Sequence, residues 1–299
     1  MKKILGWILG AVVAVGLIGG GFFMYNVEKG KKSRYEVLDY PETRSFEYAT
    51  DATTLERGAY LYQNRGCGEC HGTDGSGAFM INEGDFIVRG PNLTKGAGST
   101  VADYTATDWA RVLRHGVKKN GQPLLAMPAE DYYRMSEQDL VAIISHIQTL
   151  PAVAKQTPEH SIPPFIYFLV GMGEIPYSYQ RIDHSYQPPV SVAVEDSAEY
   201  GGYLINTCKG CHGDSLSGQM VPGAPPGTPR SANLTLAADS PVRAYNEEQF
   251  VAFFKTGTTV DGRKPTFMPM AAFQTTDELE LRAMYKYLQT VPAVENAAQ

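Results

Sequence analysis

The sequence predicts an all-α protein in which an N-terminal transmembrane helix precedes two tandem domains of the same kind. Three observations lead to this prediction. The chain begins with an uncharged apolar run from Ile4 to Tyr25. Its remainder contains two similar segments, which align at a constant offset that pairs His71 with His212. In both segments the start and stop signals of helices recur in register, and no run alternates long enough to indicate a sheet.

The apolar run is long enough to cross a bilayer. It follows Lys2 and Lys3, and as a helix it would span about 33 Å. A cleaved signal peptide is the alternative, but the run is long for one and no clear Ala-x-Ala site closes it. We therefore predict a retained anchor over residues 1–27, followed by a polar tether over residues 28–50.

The internal repeat defines the two domains. Its register holds without a net insertion from the first repeated cysteine to a closing proline, and the matched pairs are Arg89 with Arg230, Asn92-Leu93-Thr94 with Asn233-Leu234-Thr235, Gly116 with Gly257, and Pro151 with Pro292. A repeat of this length indicates duplicated domains rather than a solenoid. The predicted domains are residues 51–152 and 196–295.

Residues 153–195 connect the two domains. They hold six prolines and an apolar stretch, Phe165 to Val170, that is too short to span a membrane. We predict an ordered linker that packs across both domains. A docking surface for a membrane partner is the alternative.

Three helices are predicted in each domain. The first covers roughly residues 54–65 or 198–206. The middle helix begins at a capping box and ends at a glycine, with Thr105, Asp108 and Gly116 in one domain and Asn246, Gln249 and Gly257 in the other. The last helix opens at Ser136 or Asp277 and carries apolar residues at helical spacing.

Two pentapeptides contain every cysteine of the chain. They are Cys67-Gly68-Glu69-Cys70-His71 and Cys208-Lys209-Gly210-Cys211-His212. Each has the C-x-x-C-H spacing that attaches haem c through two thioethers and supplies a histidine to the iron. Structural disulfides or one four-cysteine zinc site are the alternatives, but neither explains why a histidine follows both times. We predict two covalent haem c groups, with His71 and His212 as proximal ligands.

A Met-Pro pair in each domain predicts the sixth iron ligand. Met127 follows His71 at the same spacing along the chain as Met268 follows His212. A methionine thioether opposite a histidine is common in electron-transfer haem proteins, and the following proline keeps the loop out of helix. Met270 is a weaker rival to Met268, and the linker residues His160 and His184 are weaker alternatives still.

On these motifs the chain resembles the class I c-type cytochromes, and more closely the multihaem cytochrome subunits of bacterial membrane-bound alcohol and sugar dehydrogenases. The resemblance rests on C-x-x-C-H, the Gly90-Pro91-Asn92-Leu93-Thr94 loop, Arg114-His115-Gly116 and Met127-Pro128. It implies two class I cytochrome c-like domains in which the Pro91 carbonyl meets His71. Ala232 stands at the corresponding position beside His212. The dehydrogenase-associated subunits usually carry three haems, whereas this chain has two motifs.

Charge and haem chemistry indicate partners and location. The net charge is −6, but the part of the chain up to Arg34 holds six basic residues and one acidic residue, which leaves −11 on the remainder. An acidic surface argues against nucleic acid and favours basic patches on other redox proteins, although plain solubility also explains it. Because haem c is attached outside the bacterial cytoplasmic membrane, we expect the haem domains to face the periplasm from that membrane.

Two classes of function remain. The first is an electron-transfer protein, not an enzyme, that passes electrons between a dehydrogenase or quinol-linked complex and an oxidase or soluble cytochrome. The alternative is a di-haem enzyme, such as a cytochrome c peroxidase or a thiosulfate-oxidising cytochrome, in which one iron is open or unusually ligated. The carrier is favoured because both domains keep Met-Pro and no cysteine is spare.

Overall fold

A computed structural model describes residues 2–42, 44–221, 224 and 227–295. It begins with α1 (Lys2–Ser33), which continues six residues beyond the predicted anchor. Within α1, Gly6–Ser33 is long and apolar enough to cross a membrane. The mostly helical structure with this N-terminal apolar helix confirms the predicted fold class.

The segment after α1 lies on the first domain. Leu38 donates its N–H to the Gly121 carbonyl at 2.9 Å, and Phe46 is buried in the core of the first domain. Ala49 donates its N–H to Ser145 Oγ at 2.8 Å. The predicted tether is therefore in contact with folded structure along much of its length.

The first domain is built from α2 (Ala52–Asn64), α3 (Cys67–His71), β1 (Phe79–Glu83), β2 (Phe86–Arg89), α4 (Ala106–His115) and α5 (Glu137–Thr149). Capping fixes the helix starts, because Thr105 and Asp108 form the predicted capping box and Ser136 caps α5. The core lies between α2, α4 and α5, where Leu61, Leu140 and Ile144 are fully buried.

The antiparallel hairpin of β1 and β2 was not predicted. Its strands are only five and four residues long, and Gly84 in the connecting turn has a positive φ of 58°. A ladder this short gives too few alternating positions to be recognised from the pattern of apolar residues.

The linker contains α6 (Pro164–Met172). Before α6, the linker residue Ser161 forms a β-bridge with Ile87 of the first domain. After α6, the linker residue Val192 packs against the core of the second domain. Arg181 donates to the Gly210 carbonyl at 3.4 Å. Residues of the linker thus contact both domains.

The second domain repeats the four helices of the first as α7 (Ala198–Ile205), α8 (Lys209–His212), α9 (Glu247–Thr256) and α11 (Glu278–Leu288). It also has the short helix α10 (Met270–Phe273), where the first domain has a 3-10 turn. The predicted capping box of Asn246 and Gln249 is present. Gly257 ends α9 with φ 68°, the value that Gly116 has after α4. Its core of Leu204, Leu281 and Leu288 occupies the place of the first domain's core.

Candidate haem sites

The first C-x-x-C-H motif forms the single helical turn α3. Gly66 precedes it in the left-handed region, φ 76°, which a residue with a side chain adopts only at a cost. Cys67 and Cys70 are free thiols. The Nδ1 of His71 lies 3.0 Å from the Pro91 carbonyl oxygen. As donor in this contact, Nδ1 orients the ring and leaves Nε2, on its far side, as the metal-binding nitrogen.

The second motif adopts the same arrangement. Cys208 precedes α8 and Cys211 lies within it, both as free thiols. The Nδ1 of His212 lies 2.8 Å from the Ala232 carbonyl oxygen. The carbonyl contact that the resemblance implies is thus made in both domains, although alanine stands where the first domain has proline.

Burial sets the protonation of these groups. It raises the pKa of the Cys67 and Cys208 thiols to about 12. It lowers the pKa of His71 and His212, and the carbonyl contacts only partly oppose this. Neutral imidazole is the form that ligates iron. Two thiols and one neutral imidazole on one helical turn are a donor set that fits covalent haem c.

An Asn-Leu-Thr loop supports each histidine contact. Asn92 Oδ1 accepts the Thr94 N–H at 2.9 Å, and Asn92 Nδ2 donates to the Val153 carbonyl at 2.9 Å. Asn233 makes the same pair of bonds to Thr235 and Val294, both at 2.9 Å. The two loops are therefore fastened to the chain that follows the last helix of each domain.

The two Met-Pro pairs have matching backbones. Pro128 has φ −82° and ψ 70°, and Pro269 has φ −74° and ψ 67°. Met127 packs against the first core and Met268 against the second. Met270 also contacts the second core, but it begins α10 at the position that Ala129 occupies in the first domain. The assignment of Met127 and Met268 as iron ligands stays a prediction.

A basic residue holds the segment after each Met-Pro pair, buried in the case of Arg114 and half-buried in the case of Lys255, and sequence reasoning missed it. Arg114 donates through Nη1 to the carbonyls of Tyr133 and Met135, at 2.6 and 2.5 Å. Lys255 donates through Nζ to the carbonyls of Gln274 and Thr276, at 3.5 and 2.6 Å. These residues correspond at the repeat offset. The sequence did contain a signal for this contact, because a basic residue stands just before the helix-ending glycine in both domains.

The geometry supports neither a zinc site in place of haem nor a linker histidine in place of methionine as the sixth ligand. No three His, Cys, Asp or Glu side chains among the described residues are grouped to hold a metal ion, so the four cysteines do not form one zinc site. Both ring nitrogens of His184 have protein partners, at 3.0 Å to His115 Nδ1 and 2.9 Å to the Tyr179 carbonyl. His160 Nδ1 lies 3.3 Å from the Arg89 N–H.

The two domains meet through an exchange of tyrosines. Tyr60 of the first domain donates to Glu280 Oε2 and accepts the Asp277 N–H, both at 2.8 Å. Tyr203 of the second domain makes the equivalent bonds to the first, at 2.7 Å to Asp139 Oδ2 and 3.0 Å from the Ser136 N–H. Each hydroxyl thus reaches the start of the other domain's last helix, in a pseudo-two-fold arrangement.

Arg57 lies at the centre of this interface. It forms a bidentate pair with Asp139 of its own domain, at 3.0 and 3.1 Å, and donates to Glu280 Oε1 of the other at 2.9 Å. Burial alone would raise the pKa of Glu280, but the charge of Arg65 and hydrogen bonds from Tyr200 and Arg57 hold it below the ordinary value. The buried Glu280 carboxylate is therefore ionised, and its pairing with Arg57 helps fix the orientation of the domains.

Both C-x-x-C-H turns also lie at this interface. Glu69, inside the first motif, accepts the Ala272 N–H of the second domain at 3.2 Å. At the corresponding position of the second motif, a Cβ on Gly210 would lie only 1.8 Å from Asp131 Oδ1 of the first domain. Each C-x-x-C-H turn thus contacts the segment that follows the other domain's Met-Pro pair.

Asp131 is an unusual carboxylate in this contact. Burial, with help from the charge of Glu130 and against that of Arg181, raises its pKa to about 7. Its Oδ1 is buried and has no hydrogen-bond partner among the described residues. An ionisable group with a near-neutral pKa therefore lies against the second C-x-x-C-H turn.

The first domain is similar to a known protein family. Residues 53–147 match the family described as cytochrome C oxidase, cbb3-type, subunit III. The match agrees with the cytochrome c fold predicted for this segment. Covalent haem c is the cofactor of such domains, which agrees with the Cys67, Cys70 and His71 turn.

Longer similarity extends over both domains. The fructose dehydrogenase cytochrome subunit of Gluconobacter japonicus is 26% identical over 275 residues, which cover 82% of this chain and 54% of that protein. The cytochrome c subunit of the quinone alcohol dehydrogenase of Gluconobacter oxydans (strain 621H) is 25% identical, covering 82% and 56%. The gluconate 2-dehydrogenase cytochrome c subunit of Pantoea cypripedii is 29% identical over 123 residues, 39% of this chain and 28% of that protein.

These relatives agree with the predicted electron-transfer role, because each is named as a cytochrome subunit. They also confirm the resemblance drawn from the motifs. The chain spans about half the length of the two Gluconobacter relatives.

Proposed function

We propose that the chain is a membrane-anchored di-haem cytochrome c that passes electrons from a quinol-linked complex or dehydrogenase to an oxidase or soluble cytochrome. The observation that carries this proposal is that both C-x-x-C-H turns lie at one ordered interface, where Glu69 contacts Ala272 and Gly210 lies against Asp131 of the opposite domain. Two redox sites held next to each other serve conduction through the protein.

The protein's contribution is positioning. When bound, each haem supplies a one-electron Fe(III)/Fe(II) couple. Cys67, Cys70, Cys208 and Cys211 are proposed to fix the haem groups covalently, and His71 and His212 to bind iron through Nε2. The carbonyls of Pro91 and Ala232 hold those rings in one tautomer. Met127 and Met268 are proposed to close the sixth positions.

Two observations support a location at the bacterial cytoplasmic membrane, namely the apolar helix α1 and the chemistry of haem attachment. The apolar span Gly6–Ser33 supports a retained anchor in the bacterial cytoplasmic membrane. Attachment of haem c supports a periplasmic position for both domains. The relatives named as dehydrogenase cytochrome subunits support a dehydrogenase as the electron donor.

Reduction by a native partner tests this function. The full-length protein, purified from its own membranes in mild detergent, should carry two haem c per chain and should be reduced when a co-purifying dehydrogenase receives its substrate. The proposal is wrong if the haem stays oxidised with every quinol and dehydrogenase preparation while the protein consumes peroxide or thiosulfate.

A further inference from the structure

The linker helix α6 packs on α1 but leaves apolar side chains exposed in the described structure. Its sequence Pro-Phe-Ile-Tyr-Phe-Leu-Val-Gly-Met contains no charged residue. Gly171 is its one buried residue, while Phe165 is 56% exposed and Met172 is 42% exposed. Exposed apolar area costs about 25 cal/mol per Å² in water, so a continuous apolar helix surface indicates a partner.

Reciprocal glycines pack α6 directly against the end of α1. A Cβ on Gly30 would lie 2.0 Å from the Tyr167 carbonyl oxygen, and a Cβ on Gly171 would lie 2.0 Å from the Asn26 carbonyl oxygen. The two backbones can touch only because neither position has a side chain, as at close helix crossings in membranes. The pairing of 30 with 167 and of 26 with 171 makes the helices antiparallel.

Aromatic and polar contacts complete this crossing. The Phe168 ring stacks on Phe23 at 5.0 Å and meets Phe22 edge-on at 6.1 Å. Arg34 Nη1 donates to the Tyr167 hydroxyl at 2.9 Å. The Met172 end of α6 therefore lies beside the apolar run of α1, and the other end lies beside the basic residues that follow it.

The position of α6 along α1 indicates which environment covers the exposed side chains of α6. The apolar run ends at Tyr25, and the lysines 29, 31 and 32 follow within two turns. In an anchor, basic residues at such a position lie among the lipid headgroups. The exposed surface of α6 continues the exposed apolar surface of α1, where Phe22 and Met24 are 53% and 55% exposed. This continuity points to the bilayer rather than to water.

We propose that α6 is a second membrane contact, inserted in the interfacial region beside the anchor with its Met172 end deepest. The proposal rests on the proposed anchoring by α1. With this second contact, the two domains would not move freely relative to the membrane. The linker that contains α6 contacts both domains, and the extended segment after α1 is fastened to the first, so α6 fixes their orientation over the membrane.

Site-specific photocrosslinking tests this contact. The photoreactive residue p-benzoylphenylalanine replaces Met172 or Phe165 in the full-length, haem-loaded chain, which is then reconstituted alone in phosphatidylcholine–phosphatidylglycerol liposomes. Met220 and Phe267 of the second domain are matched controls, since they are 53% and 57% exposed. Leu17 in α1, 73% exposed, reports the anchor independently. Haem content and optical spectrum establish that each variant is folded.

The expected result is lipid adducts at Leu17 and Met172, weaker adducts at Phe165, and a yield at Met172 about tenfold or more above that at Met220. Adducts at Leu17 with only control yields at Met172 and Phe165 would overturn the contact of α6 and leave the anchor standing. Absence of adducts at Leu17 would overturn the anchor as well. Crosslinks from Met172 to a second copy of the chain, instead of lipid, would also overturn the inference.

Discussion

At the scale of single residues, each histidine that is predicted to bind iron is oriented by one backbone carbonyl. The distances from Nδ1 to Pro91 and Ala232, 3.0 and 2.8 Å, are nearly equal. Proline is thus not required for the contact, because the Asn-Leu-Thr loop is fastened by side-chain bonds in both domains. In the second loop, which has Ala232 in place of proline, the bonds of Asn233 to Thr235 and Val294 hold the backbone.

Ligand substitutions test the methionines one at a time. Met127→Ala and Met268→Ala should each remove the methionine–iron charge-transfer absorption of one haem and lower one midpoint potential, because a thioether ligand favours the ferrous state. A redox titration followed by optical spectroscopy measures both effects. Met270→Ala is the matched control and should change neither, whereas the loss of the band in Met270→Ala but not in Met268→Ala would reverse the assignment.

Asp131 predicts a pH-dependent potential. Its pKa is raised to about 7 by burial and Glu130, so it is neutral below that pH and negative above it. A negative charge beside the second attachment turn stabilises ferric over ferrous iron. The second haem's midpoint potential should therefore fall as the pH rises through about 7.

The Asp131→Asn variant separates this effect from other titrating groups. Asparagine stays neutral, so the fall in potential through this pH range should become shallower for one haem only. Redox titrations at several pH values measure it. An unchanged pH profile in the variant would show that Asp131 is not coupled to either haem.

At the scale of secondary structure elements, the cation at the end of the middle helix positions the segment after the methionine. Arg114→Met should destabilise the protein by about 2–3 kcal/mol, because two carbonyls lose a charged donor in a buried place. The methionine–iron band should weaken in the first domain. Thermal unfolding and optical spectra measure the two effects.

Arg114→Lys is the matched control, since the second domain uses Lys255 at this position. It should retain the band and most of the stability. If Arg114→Met kept a full-strength band, the cation would support the fold without positioning the ligand loop.

The elements differ in how far the sequence could predict them. Helix starts at Thr105, Asn246 and Ser136 were predicted correctly because a capping side chain acts within three residues. The tyrosine exchange could not be predicted in the same way. The first domain has two extra residues between its tyrosine and its cysteines, so the offset that aligns the C-x-x-C-H motifs does not align Tyr60 with Tyr203.

At the scale of the whole molecule, the tyrosine exchange should hold the two haem sites at a fixed separation. Tyr60→Phe with Tyr203→Phe removes hydroxyls that satisfy buried carboxylates and helix N–H groups on both sides. Each change should cost about 1–3 kcal/mol, and the magnetic interaction between the two ferric haems should weaken in electron paramagnetic resonance spectra.

Tyr285→Phe is the control for this pair of changes. Its hydroxyl donates to the Tyr245 carbonyl within the second domain, at 3.0 Å. The variant should lose stability without a change in the magnetic interaction. If Tyr285→Phe weakened the magnetic interaction as much as the double variant does, the interface would not set the separation of the two haem sites.

The central claim is that two closed haem sites lie in one chain, and the optical spectrum of the full-length protein tests it most directly. Ferric and ferrous spectra are recorded with and without carbon monoxide, together with the ratio of haem to protein. The account predicts two haem c per chain, both low-spin, both with methionine ligation and neither binding carbon monoxide. One haem per chain, or carbon monoxide bound to half of the haem, would contradict it and would indicate a different function for the second domain.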